Sequence, residues 1–228
     1  MIGVVIKPMN SSSLRIGSFT IEKTLAFQIW ISIFHVVGIV GLYLEVSRPL
    51  FQLLTPFHLL MCAGILLYFH TDWSRSFWMF LLASFGIGMI AEIVGVQTGL
   101  LFGDYSYGPV LGLKLAGVPL IIGINWFILA YASGQLAANW IKSPLIAAAA
   151  ASLLMVVLDF VIEPVAITLD FWNWQGGEIP LGNYIGWFLV AFLIQLIYQN
   201  LPLVRENQIS TYLLLNLFLF FAILIFLL

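Results

Sequence analysis

The chain has 228 residues, 62% of them hydrophobic and 8% charged, with a net charge of −2 at neutral pH and a mean hydropathy of +1.09. An average soluble domain is about a quarter charged, so these values exclude a soluble globular protein. The acidic balance excludes a basic nucleic-acid surface, and the one cysteine, Cys62, excludes a disulfide within the chain.

A helix needs about 20 apolar residues to span the hydrocarbon of a bilayer. Runs near that length lie at 24–46, 53–70, 77–101, 115–138, 144–169, 183–201 and 208–228. The expected fold is therefore all-α: a polytopic bundle of about seven transmembrane helices, forming one transmembrane domain over 1–228. Residues 1–23 read as a polar tail, and no small-residue cleavage site follows the first apolar run, so that run reads as a retained helix and not a signal peptide. Lys7, Arg15, Lys23, Arg75, Lys142 and Arg205 fall on one side of the membrane and only Arg48 and Lys114 on the other. That asymmetry predicts a multi-pass integral membrane protein with a cytoplasmic N-terminus and an external C-terminus.

The acids within this apolar background carry the functional information. Helix 1 ends near Glu45, and Glu92 sits in the outer half of helix 3, in "GIGMIAEIVGVQTG". Helix 5 and its exit, "VVLDFVIEPVAITLDFWNW", contain Asp159, Glu163 and Asp170, whose spacings of four and seven place them on one helical stripe. A carboxylate facing lipid is costly, so such residues face a protein interior or a wet cavity. Gly88, Gly95 and Gly99 fall close to the face of Glu92, where they admit another backbone or a flat ligand; helix packing is the alternative. No Lys or Arg occupies a helix interior, so a simple intramembrane ion pair is not on offer. Asp159 and Glu163 share one low-dielectric space one turn apart, where both do not ionise together. One neutral and one charged carboxyl is the equipment of general acid–base catalysis; a helix–helix hydrogen-bonded pair is the alternative. Pro164 removes the donor to the Phe160 carbonyl and predicts a kink beside the pair.

The loops "GLLFGDYSYGPVLG" and "DFWNWQGGEIPLGNY" are expected to close over these acids. They supply Asp104, Tyr105, Tyr107, Asp170, Trp172, Trp174 and Asn183 as candidate substrate-binding residues, with Asn125, Trp126 and Trp187 added from the helices. The aromatics fit either a lipid-interface belt or the wall of a pocket for a conjugated chain or a carbocation. Asn125 either holds a carboxyl or water, or crosslinks two helices.

"GVPLIIGINWF" (117–127) and "EIPLGNYIGWF" (178–188) each run Pro-Leu, five residues, Trp-Phe. Each follows an acidic-aromatic turn and a helix with an embedded glutamate. Helices 3–4 and 5–6 thus read as a parallel internal repeat, an arrangement that places sites between the copies.

Absent features narrow the chemistry. His35, His58 and His70 are scattered with no HxxH or HxxxH spacing, which argues against a metal site and against di-iron oxygen chemistry. The last helix has no lysine for a retinal Schiff base, and no Gly-rich phosphate loop or Ser-His-Asp arrangement stands out.

Taken in order, "AEIVGVQTGLLFGDYSYGPVLG", "GVPLIIGINW", "LDFVIEPVA", "FWNW" and "IPLGNYIGW" resemble the signature of the CruF-type carotenoid biosynthesis family, over roughly residues 30–200. Its members include carotenoid 1,2-hydratases and bisanhydrobacterioruberin hydratases. The resemblance implies a multi-pass enzyme adding water to the terminal C1=C2 bond of an acyclic carotenoid. Its partners would be a lipid-soluble carotenoid, membrane lipid and other enzymes of the pathway. That reaction uses no redox cofactor or metal, and the residues cast Glu92, Asp159 and Glu163 as the acid–base set. A carotenoid end-group cyclase and a non-enzymatic carotenoid-binding protein are the alternatives.

Overall fold

The computed structural model describes residues 13–16 and 19–228; Lys7, and so part of the charge asymmetry, lies outside them. Among the described residues seven helices follow in order: α1 (Lys23–Tyr43), α2 (Arg48–Tyr68), α3 (Arg75–Thr98), α4 (Leu120–Trp140), α5 (Pro144–Thr168), α6 (Leu181–Asn200) and α7 (Ser210–Leu227). All seven are long and apolar enough to cross a membrane. Short strands among the described residues pair two by two: β1 (Ser13–Ile16) with β2 (Phe19–Glu22), β3 (Tyr105–Tyr107) with β6 (Trp172–Trp174), and β4 (Lys114–Leu115) with β5 (Val118–Pro119). The chain is an all-α integral membrane bundle.

Local chemistry sets the helix limits. Ser74 accepts the Phe77 amide at 3.3 Å to cap α3, and Gly99, at φ +68°, ends that helix in the left-handed region. Pro49 and Pro144 occupy first-turn positions that need no amide donor. Helices 2 and 4 depart from expectation at their starts: α2 begins five residues earlier, at Arg48, and residues 115–119 ahead of α4 are not helical. Lys114 pairs with Pro119 and Leu115 with Val118 across a two-residue turn. Ala116 and Gly117 both have positive φ, 49° and 87°, as a primed hairpin turn requires. Apolar composition does not separate this hairpin from helix, so α4 begins five residues later than expected.

In α4, 78% of the apolar span is buried, against 22–44% for the other six helices. It is the central post, packed against α2, α3, α5, α6 and α7. The outer faces of the other helices carry exposed Leu, Ile, Val and Phe side chains such as Leu53, Leu82, Leu153 and Leu219, the surface a lipid solvent demands. Small residues let helices close up: a Cβ at Gly88 would collide with the Trp126 ring, and one at Gly134 with Gln195 and Tyr198.

A polar clasp ties the end of the bundle where α2 leads to α3 and α6 to α7. His70 Nδ1 lies 2.9 Å from the Tyr131 hydroxyl, and Asn207 donates to that hydroxyl and to the Leu66 carbonyl. Gln135 donates to the Asn207 carbonyl at 2.6 Å. Arg205 donates to the carbonyls of Tyr198, Gln199 and Leu201 at the end of α6, which satisfies acceptors that a helix C-terminus leaves open. This clasp leaves the opposite end of the bundle to the acids.

Candidate active site

Helices α3, α4, α5 and α6 and the β3–β6 ribbon enclose a small polar cavity. Its wall includes Glu92 from α3, Asn125 from α4, Asp159 and Glu163 from α5, and Asn183 and Trp187 from α6. The ribbon closes it with Tyr105, Tyr107, Trp172 and Trp174. The three carboxyl groups are 1–3% exposed, and among the described residues no Lys or Arg lines the cavity.

Glu92 accepts three hydrogen bonds: from the hydroxyls of Tyr105 (2.5 Å) and Tyr107 (2.7 Å) on Oε2, and from Trp126 Nε1 (3.0 Å) on Oε1. Glu163 also accepts three: from Trp172 Nε1 (3.0 Å) and Trp174 Nε1 (2.9 Å) on Oε2, and from Asn183 Nδ2 (3.2 Å) on Oε1. Asp159 differs. Asn183 Nδ2 donates to its Oδ2 at 2.9 Å, and among the described residues its Oδ1 has no donor. Asn183 therefore bridges the two carboxyls of α5.

The β3–β6 ribbon explains how two loops far apart in sequence deliver matched donors. Tyr105 pairs with Trp174 and Tyr107 with Trp172 in antiparallel register. Alternation along a strand sends residues 105 and 107, and likewise 172 and 174, to one face. That face meets the acids, while Ser106 and Asn173 point away and are exposed. Gly108 donates to the Phe171 carbonyl at 2.9 Å, and a Cβ there would strike the Asp170 carbonyl, so only glycine admits this contact. Burial, then the neighbouring Glu92 carboxyl, holds the Tyr105 and Tyr107 hydroxyls above the ordinary tyrosine range. They remain donors at any physiological pH.

The cavity is about 30 Å³, and about 10–15 Å³ of such space is enough for one water. It touches two larger spaces. On one side Tyr105 and Trp174 also line an outer recess of about 310 Å³, edged by Asp104, Ser106, Asn173 and Gln175. On the other, Ile122, Asn125 and Trp172 also line an apolar pocket of about 100 Å³. That pocket extends between α1, α2, α4, α5 and α7, past Leu129, Leu158, Leu217 and Phe220. A polar, water-sized chamber thus stands between a hydrophilic recess and a greasy slot.

Several sequence expectations need correction. The acidic stripe of α5 is two residues long: the helix ends at Thr168 and Asp170, at φ +54°, turns away to accept from Asn173 at 2.5 Å. Asp104 is exposed at the outer recess, and Glu45 is exposed at the α1–α2 turn. Trp126 stands behind Glu92, stacked on Trp187 at 4.2 Å with an interplanar angle of 19°. Asn125 makes no side-chain hydrogen bond among the described residues, so it is not a helix crosslink. The tyrosines and the two ribbon tryptophans aim hydroxyl and N–H groups, rather than ring faces, at the carboxylates. The glycines flanking Glu92 make room for its donors: Gly88 faces Trp126, and Gly95 faces Phe102 and the Tyr105 hydroxyl. The histidines are not all scattered, since His35 and His58 meet at a ring separation of 4.8 Å. Nothing in the sequence signals the apolar slot, because its walls are ordinary Leu, Ile and Phe in a chain made of them.

Fold and site together define a polytopic helical membrane protein with a buried carboxylate–aromatic chamber opening onto an apolar slot. The chain belongs to the carotenoid biosynthesis protein family, whose model matches residues 52–228. Among curated proteins, the bisanhydrobacterioruberin hydratase of Haloarcula japonica is 28% identical over 131 residues, 52% of this chain and 42% of that protein. The chain thus matches less than half the length of that relative. No solved structure matches it.

Proposed function

We propose that the protein hydrates the terminal C1=C2 double bond of an acyclic carotenoid end group, giving a tertiary alcohol without a cofactor. The observation that carries this reading is the junction at Ile122, Asn125 and Trp172, where the slot meets a water-sized chamber holding three acids. The slot accepts the end of an apolar chain, so its terminal alkene reaches the chamber. Water enters from the recess beyond Tyr105 and Trp174.

Asp159 is the proton donor. Glu92 and Glu163 each have three hydrogen-bond donors, the environment of a carboxylate, whereas Asp159 has one donor and a free oxygen on the chamber. Its proton goes to C2, the less substituted carbon, and leaves a tertiary cation at C1. The nearby carboxylates and the face of Trp187 stabilise that cation. Water, held by Asn125 and Glu163, adds to C1 and gives up a proton to the carboxyl pair. The pair ends with the one proton it began with, and the net change is addition of one water.

Three features also support the two-copy reading of α3–α4 and α5–α6. The ribbon pairs one turn with the other, each embedded glutamate collects three donors, and Trp126 stacks on Trp187. Lys23, Arg75, Lys142 and Arg205 lie in segments at the end of the bundle opposite the chamber, so we place that end in the cytoplasm.

The test is expression in a host that makes lycopene or another open-ended carotenoid, grown in ¹⁸O-labelled water, with mass spectrometry of the pigments. A more polar pigment carrying the heavy oxygen is expected. A product of unchanged mass would point to cyclisation, and unaltered pigment bound to the protein would point to carriage.

A further inference from the structure

Away from the carboxylate chamber, α1 and α2 bury a second polar cluster. His35 comes from α1; His58 and Cys62 come from α2, where a spacing of four places them one above the other. One potential ligand atom from each lies within 4.8 Å of the others. We propose that His35, His58 and Cys62 form a binding site for a monovalent copper ion, with two imidazole nitrogens and the cysteine thiolate as ligands.

The tautomer of His35 is the first support. Its Nδ1 lies 2.8 Å from the Ile31 carbonyl, and a carbonyl only accepts, so Nδ1 carries the hydrogen. Nε2 is then a bare lone pair. It is buried, on a side chain 3% exposed, and has no hydrogen-bond partner among the described residues. Metal-binding histidines characteristically donate their second nitrogen to a carbonyl or carboxylate in this way. The Nε2 of His58 is also buried and, among the described residues, unpartnered, and Cys62 is fully buried. Two orphaned imidazole nitrogens beside a thiol are unusual in a chain whose other buried polar groups are almost all bonded.

Charge selects the ion. Helices α1 and α2 supply the cluster and α7 packs on it through Phe220, whose ring lies 5.5 Å from that of His35. None of the three carries an Asp or Glu. Binding Cu⁺ displaces the thiol proton to water, so a neutral site stays neutral. Binding Zn²⁺ by the same exchange leaves one uncompensated positive charge in a low-dielectric interior, which is strongly disfavoured. A thiolate with imidazoles in a three-ligand set also suits soft copper. Metal–ligand bonds of roughly 2.0–2.3 Å require the widest pair to close by about 1 Å, which side-chain torsions supply. The ion would staple α1 to α2 at the wall of the apolar slot, which His58 lines.

The full chain, purified in detergent under anaerobic reducing conditions, is offered one equivalent of Cu⁺ against a competing chelator. Metal content, copper X-ray absorption and thermal unfolding are then measured. One copper per chain is expected, with one sulfur and two imidazole scatterers and a raised unfolding temperature. Cys62→Ala and His35→Gln should each bind at least about 100-fold more weakly, and His70→Gln should bind like wild type. Three results would overturn the proposal: no copper retained by wild type, retention undiminished in Cys62→Ala, or zinc taken in preference. The absorption spectrum of the wild-type protein decides the matter even if a variant does not fold.

Discussion

Replacing Asp159 by asparagine removes one proton and almost nothing else. The side chains have the same shape, and the amide oxygen can keep the 2.9 Å hydrogen bond from Asn183 Nδ2. Its NH₂ group then takes the place of Oδ1, which has no donor to lose, so the fold should change by less than about 1 kcal/mol. The chemical cost is different in scale. Proton transfer by a positioned acid contributes about 10²–10⁴-fold, roughly 3–5 kcal/mol at about 1.36 kcal/mol per tenfold. The expected result for Asp159→Asn is therefore turnover lowered at least 100-fold with KM nearly unchanged. The assay is the initial rate of tertiary alcohol formation by protein purified in detergent, with expression and thermal unfolding measured alongside. A variant that folds normally and keeps more than a tenth of wild-type turnover would remove Asp159 as the donor. Near-normal rates in Asp159→Asn, Glu92→Gln and Glu163→Gln, each alone, would remove the acid chamber as the catalytic site.

Glu163→Gln should damage both fold and rate. Its Oε2 accepts from two tryptophans and its Oε1 from Asn183, so either amide orientation turns a donor towards a donor. A loss of about 1–3 kcal/mol in unfolding free energy is expected. Gly88→Ala places a methyl against the Trp126 ring. It should cost about 1–3 kcal/mol and shift tryptophan fluorescence, because Trp126 is displaced from Glu92. Ile122→Phe should narrow the junction between slot and chamber, lowering hydration at least tenfold while substrate binding, read from carotenoid absorbance, persists. Stability should also depend on alkaline pH. Tyr105 and Tyr107 are raised in the folded chain, so below about pH 10 both states keep their phenol protons and stability is complete. Above it the unfolded chain ionises first and stability falls. Tyr105→Phe and Tyr107→Phe should flatten that fall in the unfolding temperature, and an unchanged slope would contradict the buried placement of these hydroxyls.

Composition alone determined the membrane class and the number of crossings, because an apolar run of about 20 residues has one stable fate in hydrocarbon. It also marked Glu92, Asp159 and Glu163, since acids in such runs are rare enough to be informative. Spacing could not say that Asp170 leaves the stripe, because the helix ends in a left-handed turn that its apolar flanks do not announce. Nor could it separate the hairpin at 114–119 from the helix that follows. Only the tertiary structure decided what each acid faces. The pairing of β3 with β6 joins residues nearly seventy positions apart and turns two aromatic loops into a set of hydrogen-bond donors. Central α4 places Asn125 between chamber and slot, and the approach of α1 to α2 brings His35 to His58 across a gap that no local motif spans. These are long-range contacts, fixed by packing and by the need to satisfy buried polar groups.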